Sequence, residues 1–198
     1  GILCKGEEMM EIYIVFTDTK TNLAKMIKNC TRYPFSHVSL SFTKDLSQMY
    51  SFGRKETDNA FIAGFVKEDV RDHLFQRADC AVCKMELSEE CYRMIWAYVQ
   101  RMEREKDSFK YNFTGLFAVA FNYNFNRKNA YFCSQFVTEA LAAGNIHLTE
   151  KPPALMTPRD IFSSDSMEMI YRGDMRNYPY LDSIPAYIAE AHYLEAVQ

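Results

Sequence analysis

Hydrophobic and polar positions alternate with different periods along the chain, and the period predicts the element. Ile12 to Thr17 is an unbroken apolar run, the pattern of a strand buried on both faces. Val38, Leu40 and Phe42 alternate with His37, Ser39 and Ser41. That period of two predicts a strand with one bulky face and one face of small polar side chains, with the histidine at its start. After the turn-like Thr43 to Ser47, Met49 to Gly53 is expected to be its antiparallel partner. If Leu40 and Phe42 share a face with Tyr50 and Phe52, Ser51 falls on the face of His37; a slip of one residue reverses this. Phe61 to Val66 and Cys80 to Leu87 read as two further strands, with the charged Lys67 to Arg77 between them, and Met167 to Arg172 as a last one.

Helical spacing appears elsewhere. Leu23, Met26, Ile27 and Cys30 follow the capping residues Thr19 to Asn22 and predict a helix to about Thr31, ended by Tyr33-Pro34. Ser88 is suited to cap a helix whose first turn holds Glu89 and Glu90. Its apolar face is Tyr92, Ile95, Val99 and Met102, with Leu87 stapled to Tyr92 and an end near Lys106. A long aromatic and Asn-rich connection, Phe109 to Asn129, leads to a strongly helical segment, Ala130 to Leu141, closed by the left-handed stop Gly144-Asn145. Thr157-Pro158-Arg159-Asp160 matches a capped short helix, and Ile184 to Val197 a terminal one. With no internal repeat, low-complexity tract or linker, one α+β domain is expected over residues 1–198.

Composition changes this picture little. The 198 residues are 48% hydrophobic and 25% charged, ordinary for a globular domain with a sizeable core. A net charge of −3 without a long basic run argues against nucleic acid as a partner. No stretch approaches the length of a membrane span, and Gly1 to Met10 lacks a basic region followed by an apolar core, so no signal peptide is expected. Six cysteines, irregularly spaced, fit reduced thiols and a cytoplasmic setting better than a disulfide framework. Cys80-Ala81-Val82-Cys83 has the spacing of a redox or metal pair. It lies in a predicted strand, where positions three apart face opposite sides, so core packing is expected and no metal or cofactor.

Candidate chemistry centres on Cys133. It stands in the first turn of its helix, where the aligned peptide dipoles and unpaired N–H groups favour negative charge, so the thiol is a candidate nucleophile beside a ready oxyanion site. A thiol nucleophile needs an imidazole to take its proton and return it to the leaving group, and a third group to orient that imidazole. Of four histidines, His37 has a strand to fix it and a small-residue face that leaves room. His147, just past the helix stop, is the alternative base; His73 and His192 lie in segments suited to surface or packing roles.

Ser36-His37-Val38-Ser39-Leu40, then Met49-Tyr50-Ser51-Phe52-Gly53-Arg54, then Phe132-Cys133-Ser134-Gln135-Phe136-Val137 and Thr157-Pro158-Arg159-Asp160, resemble the circularly permuted papain-like enzymes. That group includes the YiiX-like proteins and lecithin retinol acyltransferase and is related to NlpC-type cell-wall peptidases. The resemblance covers roughly residues 10–175, with the cysteine helix after the histidine strand as in the permuted order. It implies an antiparallel sheet packed on the cysteine helix. It also implies thiolate attack by Cys133 on an amide, ester or thioester carbonyl through an acyl-enzyme, with His37 as base. The family's third polar residue falls on the strand after the histidine, where the nearest equivalent is Ser51; Glu68, near the end of the following strand, is the alternative. The expected function is a cysteine hydrolase of amidase or peptidase type acting on a peptide, small-molecule or lipid acyl substrate. A thiol-dependent lipid acyltransferase or esterase, and a binding module that keeps the fold without catalysis, are the alternatives. The run Leu116 to Phe121, flanked by Tyr111, Phe113, Tyr123 and Phe125, suits either an acyl site or a loop packed on the core.

Overall fold

The computed structural model describes residues 9–20, 24–25, 33–56, 59–106 and 131–181. These form a mixed α+β structure around one six-stranded antiparallel sheet. The strands are β1 (Met9–Asp18), β2 (His37–Ser41), β3 (Met49–Glu56), β4 (Asn59–Glu68), β5 (Asp79–Ser88) and β6 (Glu168–Asp174), in the order β4-β3-β2-β1-β5-β6. The helices are α1 (His73–Gln76), α2 (Glu89–Arg104), α3 (Tyr131–Ala143) and α4 (Pro158–Phe162). The helix expected to Thr31 has only Ala24 and Lys25 among the described residues, both helical. The connection Phe109 to Asn129 and the terminal helix expected from Ile184 lie outside them.

Each face of the sheet carries its own apolar cluster, which explains why β1 is apolar at consecutive positions. Ile12, Ile14 and Phe16 join one cluster with Val38, Leu40, Tyr50, Phe65, Ala81 and Cys83, while Tyr13 and Val15 join the other with Met49, Val82, Phe75 and Met175. The first face packs against the helices: Ile95, Val99 and Met102 come from α2, and Phe136, Val137, Ala140 and Leu141 from α3. Cys80 and Cys83 divide between the two faces, both buried, as strand alternation requires. Among the described residues no group of three or more His, Cys, Asp or Glu side chains is placed to hold a metal ion. No helix among them is long and apolar enough to cross a membrane.

Local signals place the helices. Ser88 accepts from the Cys91 amide at 3.3 Å, Glu89 and Glu90 occupy the first turn of α2, and Arg101 and Arg104 its last, so both ends complement the helix dipole. Helix α3 ends at Ala143, and the left-handed residue of its stop is Asn145, at φ 61°. Gly144 meets a different requirement: a Cβ there would lie 2.7 Å from Ile95 of α2, so only glycine admits the approach of the two helices. The capping box expected at Thr157 is formed, with Thr157 and Asp160 each satisfying the other's backbone. The Lys67 to Arg77 segment is more ordered than a charged connection. Strand β4 continues to Glu68, and Asp72 caps the short α1 by accepting from the Leu74 amide at 2.8 Å.

Candidate active site

Strand pairing brings the polar residues of β2, β3 and β4 together. Leu40 pairs with Tyr50 and Ser41 with Met49, so the same register continued sets Ser39 opposite Ser51 and His37 opposite Gly53. Ser51 therefore shares the small-residue face with His37, as the alternation of bulky and small positions predicts. On the next pairing Met49 lies opposite Glu68 and Ser51 opposite Val66, which adds Glu68 to that face.

Glu68 reaches along β3 to the histidine. Its Oε1 lies 2.7 Å from His37 Nε2 and also accepts the Ser51 hydroxyl at 2.7 Å, while Oε2 accepts the Ser39 hydroxyl at 2.5 Å. Ser39 and Ser51 are fully buried, and the side chains of His37 and Glu68 are 18% and 8% exposed. Gly53 makes room for this arrangement: a Cβ there would lie 3.1 Å from Ser51 Oγ, 3.3 Å from Glu68 Oε1 and 3.5 Å from His37 Cε1.

The thiol of Cys133 is close enough to act on the imidazole as well, raising its pKa together with Glu68. With Nε2 committed to Glu68, Nδ1 is the ring nitrogen left for sulfur. Cys133 is the third residue of α3 and 3% exposed. The helix start is fixed from below: Ser134 Oγ donates to the Met156 carbonyl at 2.7 Å, next to the cap of α4, and Phe136 packs against Phe52 and Phe65 of the sheet.

Two opposed effects set the charge of the pair. Burial alone disfavours the charged form of His37, but the Glu68 carboxylate and the thiol outweigh it and raise the imidazole well above its ordinary value of 6.5. Burial likewise disfavours the carboxylate of Glu68, and is outweighed by His37 and by the hydroxyls of Ser39 and Ser51, which lower it below 4.5. The result is a carboxylate–imidazolium pair at neutral pH, with every oxygen of the carboxylate engaged.

The sequence-predicted residues thus separate. His37 and Cys133 are brought together. Ser51 is in the site but not in the role expected of it: its hydroxyl bonds Glu68, and Glu68, the alternative, is the group on the imidazole. The difference arises in the length of β4, because a strand ending at Val66 leaves Glu68 in a connection, whereas two more paired residues put it in register with Met49. Ser39 was not singled out by its sequence; its signal is the run of small positions, Ser39, Ser51 and Gly53, that leaves space for one long side chain. His147 is exposed beyond the end of α3, His73 is exposed on α1, and His192 lies outside the described residues.

Comparison with models of known protein families, with curated proteins and with solved structures returns no match.

Proposed function

We propose that the chain is a cysteine hydrolase of the amidase or peptidase type, with its elements in the permuted papain-like order. Cys133 is the nucleophile, His37 the general base and acid, and Glu68 the group that orients and charges the imidazole. The observation that carries this reading is the imidazole of His37 held between a buried carboxylate and a helix-start thiol. In the reactive form the proton of the thiol resides on His37, so sulfur attacks the substrate carbonyl carbon as a thiolate, and the first-turn N–H groups of the helix are the donors this reading assigns to the oxyanion. The imidazolium, stabilised by Glu68, then protonates the departing amine as its bond to the acyl carbon breaks, leaving a thioester on Cys133. Water, deprotonated by His37, then cleaves the thioester, releases the acid and restores the thiolate–imidazolium pair. A binding module without catalysis is disfavoured by Glu68, since a carboxylate supplies the charge that Ser51 as third group would not.

The test is a panel of peptide, lipid-ester and thioester substrates, with wild type set against Cys133→Ser and His37→Ala. Cys133→Ser is expected to abolish turnover, and His37→Ala to lower it by about 10² to 10⁴, the usual worth of general-base assistance. Iodoacetamide near neutral pH is expected to label Cys133 before Cys80, Cys83 and Cys91. Full activity in Cys133→Ser, or labelling of Cys133 no faster than the others, would sink the proposal.

A further inference from the structure

The carboxylate of Glu68 is buried, and a buried carboxylate needs its lone pairs satisfied by donors. Two serines on neighbouring strands supply them, one to each oxygen: Ser51 to Oε1, the oxygen that also faces His37, and Ser39 to Oε2. Both serines are fully buried, and each spends its hydroxyl on Glu68. Their placement follows from the register, which sets positions 39 and 51 opposite one another on the face that Glu68 crosses. Gly53 completes the arrangement by leaving the space into which carboxylate and imidazole lean.

We propose that Ser39 and Ser51 are positioning residues for the reaction: their two hydroxyls clamp Glu68 so that one oxygen stays on His37 Nε2 and the imidazole stays turned toward Cys133. This rests on the reading of Cys133, His37 and Glu68 as an acyl-transfer site. Its physical basis is that two directed donors fix the rotation of the carboxylate about its last bond, which a single bond to the imidazole does not. The same donors act as solvent for the carboxylate, so that a charged pair survives in a site from which water is largely excluded.

Among the described residues, the charged and titratable groups facing His37 are Glu68 from β4 and Cys133 from α3, so the effect of either serine on the imidazole passes through Glu68. The readout is the titration of His37 by NMR in protein labelled at histidine, which requires no substrate. It is paired with the pH dependence of Cys133 alkylation by iodoacetamide. At each serine three variants are compared: Ser→Ala, and the isosteric pair Ser→Thr and Ser→Val, which differ only in a hydroxyl against a methyl. Ser51→Ala and Ser51→Val, and likewise Ser39→Ala and Ser39→Val, are expected to move the His37 midpoint down toward its ordinary value. The expected size is about one pH unit, the scale of one hydrogen bond to a charged group. The alkylation profile should move with it, and Ser→Thr should restore both toward wild type. Thr and Val variants with the same midpoint, or a loss of thermal stability with no change in titration, would overturn the clamp. Failure of the catalytic reading looks different: wild-type Cys133 would alkylate no faster than Cys91 while the His37 midpoint still answered to the serines.

Discussion

The imidazole of His37 is flanked by one partner from its own sheet and one from a helix, and its charge depends on the first. Glu68→Gln keeps the size of the side chain but removes the charge and turns an amide donor toward either the imidazole or a serine hydroxyl. Turnover should fall about 10²-fold or more, measured as kcat on any substrate of the panel. Stability should respond with a definite pH dependence. His37 is raised above 6.5, so its contribution is complete below that pH and is lost as pH rises through the raised value. Glu68 is lowered below 4.5, so its contribution is complete above that pH and is lost as pH falls through the lowered value. The difference in urea midpoint between wild type and Glu68→Gln should therefore be greatest between these ordinary values and narrow as pH climbs above 6.5. A difference that fails to narrow above pH 6.5 would mean that the pair is not charged. Gly53→Ala tests the same contact sterically. A methyl 3.1 Å from Ser51 Oγ and 3.3 Å from Glu68 Oε1 requires these neighbours to give by a few tenths of an ångström, so kcat should drop and overpacking should cost about 1–3 kcal/mol, read from the urea midpoint.

At the scale of elements, the position of Cys133 is set by how α3 lies on α2 and on the sheet. Just past the end of α3, at Gly144, the chain lies close against α2: a Cβ there would meet Ile95 at 2.7 and 2.9 Å and the Cys91 carbonyl at 3.0 Å. Gly144→Ala should cost about 1–3 kcal/mol by overpacking, read from chemical denaturation. A second link, the Tyr98 hydroxyl donating to Glu139 at 2.9 Å, spans the same pair of helices. Much of this level is legible in the chain. The capped starts of α2 and α4 and the alternation in β2 are local patterns of a few residues, and local patterns survive into the fold because nothing distant opposes them. His37 and Cys133 were legible for a related reason: each is a reactive residue type at the first positions of a recognisable element. Glu68 was harder to assign. Its role depends on two residues of extra pairing at the end of β4 and on the register of two strand pairs at once, information spread over Leu40, Met49, Tyr50 and Val66. Ser39 carried no signal of its own, because buried serines on a small-residue face gain meaning only when a long polar side chain is seen to fill the space above them.

At the scale of the molecule, one sheet separates two apolar clusters, and the site draws on elements far apart in the chain, β2, β4 and α3. Whether the two clusters stand or fall together decides how the site is lost on unfolding. Among the described residues, the helices α2 and α3 cover one face, while the other is covered by the turn at Leu46, by α1 and by the residues around Met175 and Tyr178, a thinner layer. Two cysteines on β5 report the two faces separately. Cys80 belongs to the thinner side and Cys83 to the helical side, and burial pushes their thiols up, to about 12 and about 11, so both are silent in the native protein at about pH 8. β5 is paired along its whole length with β1, whose consecutive residues feed both clusters, so loss of either cluster strips one face of the central strand pair. The two faces should therefore open as one cooperative unit. Pulsed iodoacetamide labelling across a urea titration, read by mass spectrometry, should show Cys80 and Cys83 becoming reactive at the same midpoint. That midpoint should coincide with the loss of the fast Cys133 reaction. Labelling of Cys80 at lower urea than Cys83 would show instead that the thinner layer opens as a separate unit while the helical face persists.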